Sequence, residues 1–126
     1  MAGFEKLRIW QKAHELMLKI HSAANKLPHE EKYRIKAQIE RSSSSVCDNI
    51  SEGHSSYYYN DKIKGMYTAR KEAGETQNHI MTLESKKYMN SNLAKELKEE
   101  YEGLIKGINA YINYIRDKRK NDKSKV

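Results

Sequence analysis

The sequence predicts an all-α protein in which four antiparallel helices form a single up-down-up-down bundle. Its 126 residues suffice for one domain with a buried core, and apolar residues recur every three or four positions over four long segments. One proline and six glycines are too few for a β-sandwich or barrel, which needs frequent turns. We expect the bundle at residues 1–117, with helices at about 4–27, 30–53, 60–89 and 92–117.

The first predicted helix has a wide apolar face. Its main apolar positions are three or four residues apart: Ile9, Ala13, Leu16, Ile20, Ala23 and Leu27. Pro28 ends the helix, because the residue before a proline is disfavoured in the α conformation. The remaining face is polar and mostly basic, and four of its cations are candidate contacts for a polyanion: Arg8, Lys12, Lys19 and Lys26.

The second predicted helix has a stripe of apolar and small residues: Ile35, Ile39, Ser42, Val46 and Ile50. The serines at 42–45 are mediocre helix formers, but the flanking periodicity places them in the helix. Their small side chains let a neighbouring helix approach closely, and their hydroxyls can donate to carbonyls one turn earlier. Cys47 is expected to pack there as a small apolar residue, and Gly53 to follow the helix at the C′ position.

A third helix follows a polar connection at residues 54–56. Its buried positions are expected at helical spacing: Met66, Ala69, Ala73, Thr76, Ile80 and Leu83. Gly65 and Gly74 each weaken this helix by up to about 1 kcal/mol relative to alanine. The Asn-Ser-Asn sequence at 90–92 is typical of a turn and helix N-cap, so a fourth helix is expected to begin there.

The fourth helix has the most regular apolar seam: Leu97, Tyr101, Leu104, Ile108, Tyr111 and Ile115. A second line, about 100° from the seam, contains Gly103, Gly107 and Ala110 and ends at Tyr114. Since helical glycines cost about 1 kcal/mol each, we expect a close contact on this line. Either a neighbouring helix or another subunit packs there. We favour the subunit, and assign Trp10 to the same oligomer interface.

The composition favours a thin helical domain over a thick α/β enzyme core, since hydrophobic residues make up 37% and charged residues 33% of the chain. The single cysteine cannot form an intrachain disulfide. The sequence has no N-terminal apolar signal segment and no apolar run long enough for a membrane span. We therefore expect a cytoplasmic protein with no membrane partner.

Positive charge is concentrated at the C-terminus. Of a net charge of +7, residues 116–126 contribute +4, because they hold six basic and two acidic side chains. The basic side chains are Arg116, Lys118, Arg119, Lys120, Lys123 and Lys125. Such a cluster is typical of proteins that bind nucleic acid, but a solvated tail that only aids solubility has the same composition. We favour nucleic-acid contact, with residues 118–126 as a flexible basic tail.

Other candidate sites are weaker. The tyrosines at 57–59 precede Lys62 and Lys64 and could stack single-stranded bases, although such tyrosines more often fill helix or subunit contacts. The five histidines are scattered, and Glu75 and His79 lack the Glu-x-x-His spacing of di-iron bundles. We therefore expect no metal, no cofactor, no small-molecule substrate and no enzymatic activity.

Several sequence blocks occur in a distinctive order. They are residues 4–13, Phe-Glu-Lys-Leu-Arg-Ile-Trp-Gln-Lys-Ala, then Leu27-Pro28, Glu31, Tyr33, Gln38-Ile39, Arg41, Ser45-Val46, Asn49-Ile50 and Glu52-Gly53. In these blocks the chain resembles the 23S ribosomal RNA intervening-sequence protein family, also called the four helix bundle protein family. It departs from the family at Ser42 and Ser43, where alanines are common, and at Cys47, where proline is common.

The resemblance implies a four-helix bundle that assembles into a ring, commonly a homopentamer. It also implies kinship with the accessory variability determinant proteins of diversity-generating retroelements, which bind a reverse transcriptase and nucleic acid. Asn49, Glu52 and Gly53 belong to the family motif, and we expect them to cap a helix or to form hydrogen bonds between helices.

Two functions remain open from the sequence. The first is a non-enzymatic, basic, oligomeric bundle that binds RNA or DNA electrostatically, as an accessory to a reverse transcriptase or to a ribosomal RNA-associated element. The alternative is a protein-interaction scaffold with no direct nucleic-acid role, in which the charge serves solubility alone.

Overall fold

The computed structural model describes residues 3–124 and contains only helices within that range. Four α-helices span Arg8–Ala24 (α1), Ile35–Ser55 (α2), Tyr59–Ser85 (α3) and Ser91–Ser124 (α4). Short 3-10 helices at Phe4–Lys6 and His29–Glu31 precede α1 and α2. The predicted all-α class with four helices is therefore confirmed. No helix in residues 3–124 combines the length and the apolar character that crossing a membrane requires.

The helices pack in a square, so that each contacts the preceding and following helix and α4 contacts α1. The helices from α2 to α4 run antiparallel to their neighbours in sequence, since α3 contacts α4 through Gln77 with Lys98 and through Asn60 with Arg119. Between α2 and α3, Ser42 lies beside Thr76 and Gly53 lies beside Gly65, so the paired positions converge on the short connection at residues 56–58.

The core is formed by the apolar stripes that the periodicity predicts. On α3 every position of the predicted stripe is buried, and on α4 every seam position except Tyr111, which is half-buried. Ile112 is buried beside it. Tyr101 is the largest fully buried side chain, with 0% of its surface exposed. Burial of these stripes supplies the main favourable free energy of folding.

Small polar residues join α2 to α3. The Ser42 and Thr76 hydroxyl oxygens lie 2.8 Å apart, and the Ser43 hydroxyl donates to the Ile39 carbonyl at 2.8 Å. Both serines and Thr76 are fully buried, so these hydrogen bonds offset the cost of removing hydroxyls from water. The expectation that the serines allow close packing and bond back along their own helix is confirmed.

Gly53 lies inside α2, which continues to Ser55, and the prediction that it follows the helix at the C′ position is wrong. A Cβ built on Gly53 would lie 3.0 Å from the Lys62 carbonyl oxygen of α3. The glycine is therefore explained by the closeness of the two backbones and not by helix termination.

All four helices end at positions other than the expected ones, and α2 also begins five residues late, at Ile35, because residues 29–31 form a 3-10 helix before it. α1 ends at Ala24, three residues before the predicted end, and α3 ends at Ser85. After α3, Lys87 adopts a φ of 64° and the Tyr88 N–H donates to the Leu83 carbonyl at 2.9 Å, which closes the helix. In contrast, α4 is longer than predicted and continues to Ser124.

Residues 118–124 are thus helical, whereas the sequence predicts a flexible tail there. Side-chain contacts with α3 explain the difference, because they hold the last turns of α4 against the bundle. Arg119 Nη1 donates to Asn60 Oδ1 at 2.8 Å, and the Tyr59 hydroxyl donates to Asp122.

Candidate nucleic-acid interface

Two of the four candidate cations of the predicted first helix are neutralised within the chain. Lys12 Nζ lies 2.7 Å from Glu100 Oε1, and Lys19 Nζ lies 3.4 Å from both Glu100 Oε2 and Glu15 Oε1. The hydrogen bond from Lys12 holds the pKa of Glu100 below its ordinary value. Arg8 and Lys26 are exposed and take part in none of the ion pairs within residues 3–124. The contact of these four residues with nucleic acid stays a prediction.

The basic end of α4 lies against the N-terminal half of α3. Arg116 donates a hydrogen bond to the Tyr67 hydroxyl, and its guanidinium lies 5.6 Å from the centre of that ring. Arg70 lies 4.9 Å from the same ring centre and donates to Asn109 Oδ1 at 2.6 Å. The Tyr67 ring thus has one guanidinium group from each of two helices within 6 Å of its centre.

We call this surface the basic α3–α4 face, and define it by four residues: Lys64, Arg70, Arg116 and Arg119. Two further predicted contacts, Lys118 and Lys120, are exposed on the same part of α4. The arginines of the face donate hydrogen bonds to uncharged groups, namely a phenol and two amide oxygens. Neither these four residues nor Lys118 and Lys120 take part in an ion pair within the described part of the chain. Their positive charge is therefore less compensated than that of Lys12 and Lys19.

A groove of about 340 Å³ follows the face between α3 and α4. Its lining includes Asn60, Lys64, Tyr67, Arg116 and Arg119. The guanidinium groups are preorganised here by neutral partners, and guanidinium is the side-chain group best matched to bidentate phosphate contacts. Lys123 and Lys125 remain predicted contacts, because the side chain of the first and the whole of the second lie outside what the structure describes.

Three residues of this site are absent from the candidates that the sequence supplies: Asn60, Tyr67 and Arg70. A tyrosine and an arginine three positions apart lie on the same face of a helix, so this pair is visible in the sequence. The sequence does not show the register of α3 against α4, which brings Arg116 to Tyr67.

The three consecutive tyrosines have different surroundings. Tyr57 and Tyr58 are 88% and 66% exposed, and their rings meet edge to face with centres 5.0 Å apart. Tyr59 is half-buried at the start of α3 and donates to Asp122. Stacking of bases on these rings stays a prediction.

The residues predicted to form an oligomer interface divide into two groups. Trp10 is half-buried, stacked on His14 with ring centres 4.7 Å apart, and a Cβ on Gly107 would lie 3.0 Å from Ile9 Cγ2 of α1. The small size of Gly107 thus serves the α1–α4 contact within the chain. By contrast Gly103, Ala110 and Tyr114 are exposed, and a Cβ on Gly103 would meet nothing within 4 Å.

The motif residues of α2 have local roles. Asn49 Nδ2 donates to the Ser45 carbonyl at 2.9 Å and to the Ser45 hydroxyl at 3.0 Å. These hydrogen bonds lie within α2, whereas the sequence led us to expect a helix cap or bonds between helices. Glu52 is exposed on the rim of a groove of about 250 Å³ between α2 and α3. Gly53 serves the close approach of these helices.

Within residues 3–124, no three histidine, cysteine, aspartate or glutamate side chains lie close enough together to hold a metal ion. Cys47 is buried, and burial raises the pKa of its thiol to about 12, with Asp48 adding to the shift. A thiol with so high a pKa is a weak nucleophile.

A family model described as 23S rRNA-intervening sequence protein matches residues 5–110. Among solved structures, the chain is similar to a Bacteroides thetaiotaomicron protein described as one of unknown function from the S23 ribosomal protein family. The two share 24% identity and superpose with a TM-score of 0.77, over 83% of this chain and 95% of the other, which shows a common fold. No curated protein matches the sequence.

Proposed function

Because this chain belongs to the 23S rRNA-intervening sequence protein family, we propose that it is a non-enzymatic helical-bundle protein that binds RNA or DNA through the phosphate backbone. The observation that carries the proposal is the basic α3–α4 face. Arg70 and Arg116 lie at one tyrosine, Arg116 and Arg119 line one groove, and all three donate hydrogen bonds to neutral groups.

Phosphate contacts account for this arrangement physically. Each phosphate that a protein cation neutralises releases condensed counterions, which favours binding and makes the affinity fall as salt rises. The site needs no base readout, because phosphate contacts position a nucleic acid without reading its sequence. Arg116 and Arg119 are the central contacts, while Lys12 and Lys19 contribute less because Glu15 and Glu100 already neutralise them.

The test is a salt titration of binding to a single-stranded RNA and to an RNA duplex, with the full chain and the double variant Arg116→Gln/Arg119→Gln. We expect the variant to bind at least tenfold more weakly at low salt. The slope of log affinity against log salt should decrease by about 0.7 to 0.9 for each phosphate that the variant no longer neutralises.

The matched control is Lys87→Gln/Lys95→Gln, which removes the same charge from exposed positions at the opposite end of the bundle. It should keep most of the affinity. Equal decreases in affinity for both double variants would mean that binding follows net charge alone, and no binding by the unaltered chain would refute the proposed function.

Assembly into a homo-oligomeric ring is part of the same proposal. The resemblance supports a pentamer, and five chains of +7 would carry +35 on one particle. The exposed Gly103 and Ala110 support a helix contact between subunits, since small residues let helices approach closely, and Tyr114 lies at the edge of this contact.

Light scattering distinguishes the assembly states. A pentamer of 14.7 kDa chains has a mass of about 74 kDa, and a measured mass of 14.7 kDa would refute the ring. Gly103→Leu should dissociate the assembly without destabilising the single chain, because an added side chain meets no neighbour there.

As its biological setting we propose an accessory role beside a reverse transcriptase or a ribosomal RNA-associated element. The family description and the resemblance support this setting. A reverse transcriptase that co-purifies with the full chain, and is released by nuclease or by the Arg116→Gln/Arg119→Gln variant, is the expected result. Recovery of no such enzyme from the native cells would refute the reverse transcriptase as partner, and absence of ribosomal RNA from the same preparation would refute the ribosomal RNA-associated setting.

A protein-interaction scaffold is the second candidate, and an apolar groove favours it. The groove of about 430 Å³ lies between α1 and α4, is lined by Leu18, Ala23, Leu93 and Leu97 among others, and leaves Leu18 54% exposed. A protein captured after nuclease treatment, and no longer captured by Leu18→Glu, would support the scaffold. Failure of the same variant to bind RNA would contradict the separation of the two functions.

A further inference from the structure

A second cavity lies at the same end of the bundle as the basic α3–α4 face, where the connection between α2 and α3 meets α4. Its volume is about 320 Å³. We call it the tyrosine pocket, and define it by six of its lining residues: Tyr57, Tyr59, Lys62, Tyr111, Tyr114 and Lys118. Four aromatic rings and two ammonium groups therefore line one small concavity.

Two of the four tyrosines are held in place by hydrogen bonds. The Tyr111 hydroxyl lies 3.1 Å from His54 Nδ1, and the Tyr59 hydroxyl donates to Asp122. Both rings are half-buried. They form a fixed wall of the pocket, in which Tyr111 packs against the Tyr114 ring at 6.0 Å between centres.

The other two rings are exposed to solvent. Tyr57 is 88% exposed and Tyr114 is 56% exposed. Large aromatic surfaces in water lack the favourable free energy that burial would supply. At the edge of a cavity, such rings offer a planar ligand a surface on which to stack.

The two lysines give the pocket a positive charge. Lys62 Nζ donates to the His54 carbonyl at 2.7 Å, and Lys118 lies over the Tyr114 ring, 5.9 Å from its centre. Burial lowers the pKa of Lys62, and the charge of Lys118 lowers it further. The neighbouring carboxylate Asp122 is bonded to Tyr59, and no described ion pair includes either lysine. An anion between the two ammonium groups would relieve their repulsion.

We propose that the tyrosine pocket binds one unpaired nucleotide of a single-stranded nucleic acid. The base stacks on Tyr57 and Tyr114, and Lys62 and Lys118 contact the adjoining phosphate. The volume lies at the lower end of the range of about 300–1,000 Å³ typical of small-ligand sites. Duplex bases are stacked and paired, so this site adds a preference for single strands to the proposed phosphate binding, on which it rests.

The test uses the full chain and a 12-nucleotide RNA with a central 2-aminopurine, either alone or in a duplex, and measures affinity by fluorescence. Stacking on an aromatic side chain is worth about 1–3 kcal/mol per base, which corresponds to a roughly five- to 150-fold change in affinity. Tyr114→Ala and Tyr57→Ala should each weaken single-strand binding within this range and leave duplex binding within about twofold. Tyr114→Phe should retain the affinity, because the ring remains.

Tyr33→Ala is the matched control. Tyr33 is 84% exposed and lies beside a lysine, Lys32, with its ammonium 5.4 Å from the ring centre. It precedes α2 at the opposite end of the bundle. Removing the Tyr33 ring should change neither the affinity for single-stranded RNA nor the affinity for the duplex. The melting temperature of each variant shows whether that variant is folded.

The possible results separate the two proposals. If the unaltered chain binds both RNAs and the tyrosine variants do so equally well, the pocket proposal fails and the phosphate proposal stands. If the tyrosine variants weaken binding to the single strand and to the duplex equally, the proposed base contact is also overturned. If adenosine monophosphate displaces the RNA at equal concentration, the pocket holds a free nucleotide and not a strand. If the unaltered chain binds neither RNA, both proposals fail.

Discussion

Gly53 of α2 and Gly65 of α3 face each other so closely that a Cβ on Gly65 would lie 2.8 Å from the Gly53 Cα. The same Cβ would lie 3.0 Å from the Asn49 carbonyl oxygen. Because these neighbours are backbone atoms, they cannot move aside as a flexible side chain can. The glycine pair therefore sets the distance between α2 and α3 at the end of the bundle that holds the tyrosine pocket.

Gly65→Ala should lower the free energy of unfolding by about 1–3 kcal/mol, the usual cost of overpacking a core. Urea unfolding followed by circular dichroism measures it. Gly74→Ala on the same helix is the control, because a Cβ there meets nothing within 4 Å. It should stabilise the protein by up to about 1 kcal/mol through helix propensity alone. Equal effects of the two substitutions would contradict the close approach of the helices.

Tyr101→Phe should raise the free energy of unfolding by about 1 kcal/mol. The Tyr101 side chain is fully buried, its hydroxyl has no hydrogen-bond partner in the described structure, and burial raises its pKa. Removing an unpaired buried hydroxyl removes its desolvation cost. Tyr111→Phe is the comparison, since it removes the hydrogen bond to His54 and should destabilise by about 0.5–1.5 kcal/mol. A destabilised Tyr101→Phe would show that this hydroxyl has a partner.

Glu100→Gln should destabilise the protein by about 1 kcal/mol at pH 7, because it removes the carboxylate that Lys12 and Lys19 share. The pKa of Glu100 is lowered in the folded state. The stabilisation is therefore complete above the ordinary glutamate pKa of about 4.3 and is lost as the pH falls through the lower folded value.

Melting temperatures of the wild type and of Glu100→Gln between pH 2 and 7, at low ionic strength, measure this dependence. The two curves should converge at the acid end. Glu99→Gln changes an exposed neighbour that takes part in none of the described ion pairs, and should follow the wild type throughout. A gap between wild type and Glu100→Gln that is the same at every pH would rule out the carboxylate charge as its cause.

Cys47 should not react with iodoacetamide at pH 8 in the folded protein. Burial raises the pKa of this thiol to about 12, so almost none of it is the reactive thiolate. Mass spectrometry should show complete alkylation once denaturant unfolds the chain. Rapid alkylation without denaturant would mean that α2 opens readily at this position.

The candidate site is only partly visible in the sequence. Arg116 and Arg119 are predicted from charge clustering, which needs no knowledge of the fold. Tyr67, which orients Arg116, becomes a candidate only when α3 and α4 are brought together in register. For Lys12 and Lys19 the fold weakens a candidate that the sequence supplies. Their charges mark them as phosphate contacts until the fold brings Glu100 beside them, 88 and 81 residues away along the chain.

Gly53 and Gly65 illustrate the same limit for the fold. In the sequence, a glycine late in one helix is typical of a terminus, and a glycine early in the next is a weak point. In the structure the two are packing partners. Local propensity describes a residue within its own helix, whereas the closeness of two backbones depends on both helices at once.

The sequence by itself determined the all-α class, the existence of four helices and the buried stripes, because helical periodicity and chain breakers act between residues a few positions apart. Only the tertiary structure decided which cations are neutralised, which glycines are buried and where α4 ends. Those properties depend on pairs of side chains far apart in the sequence, whose distances are set by the register and separation of packed helices.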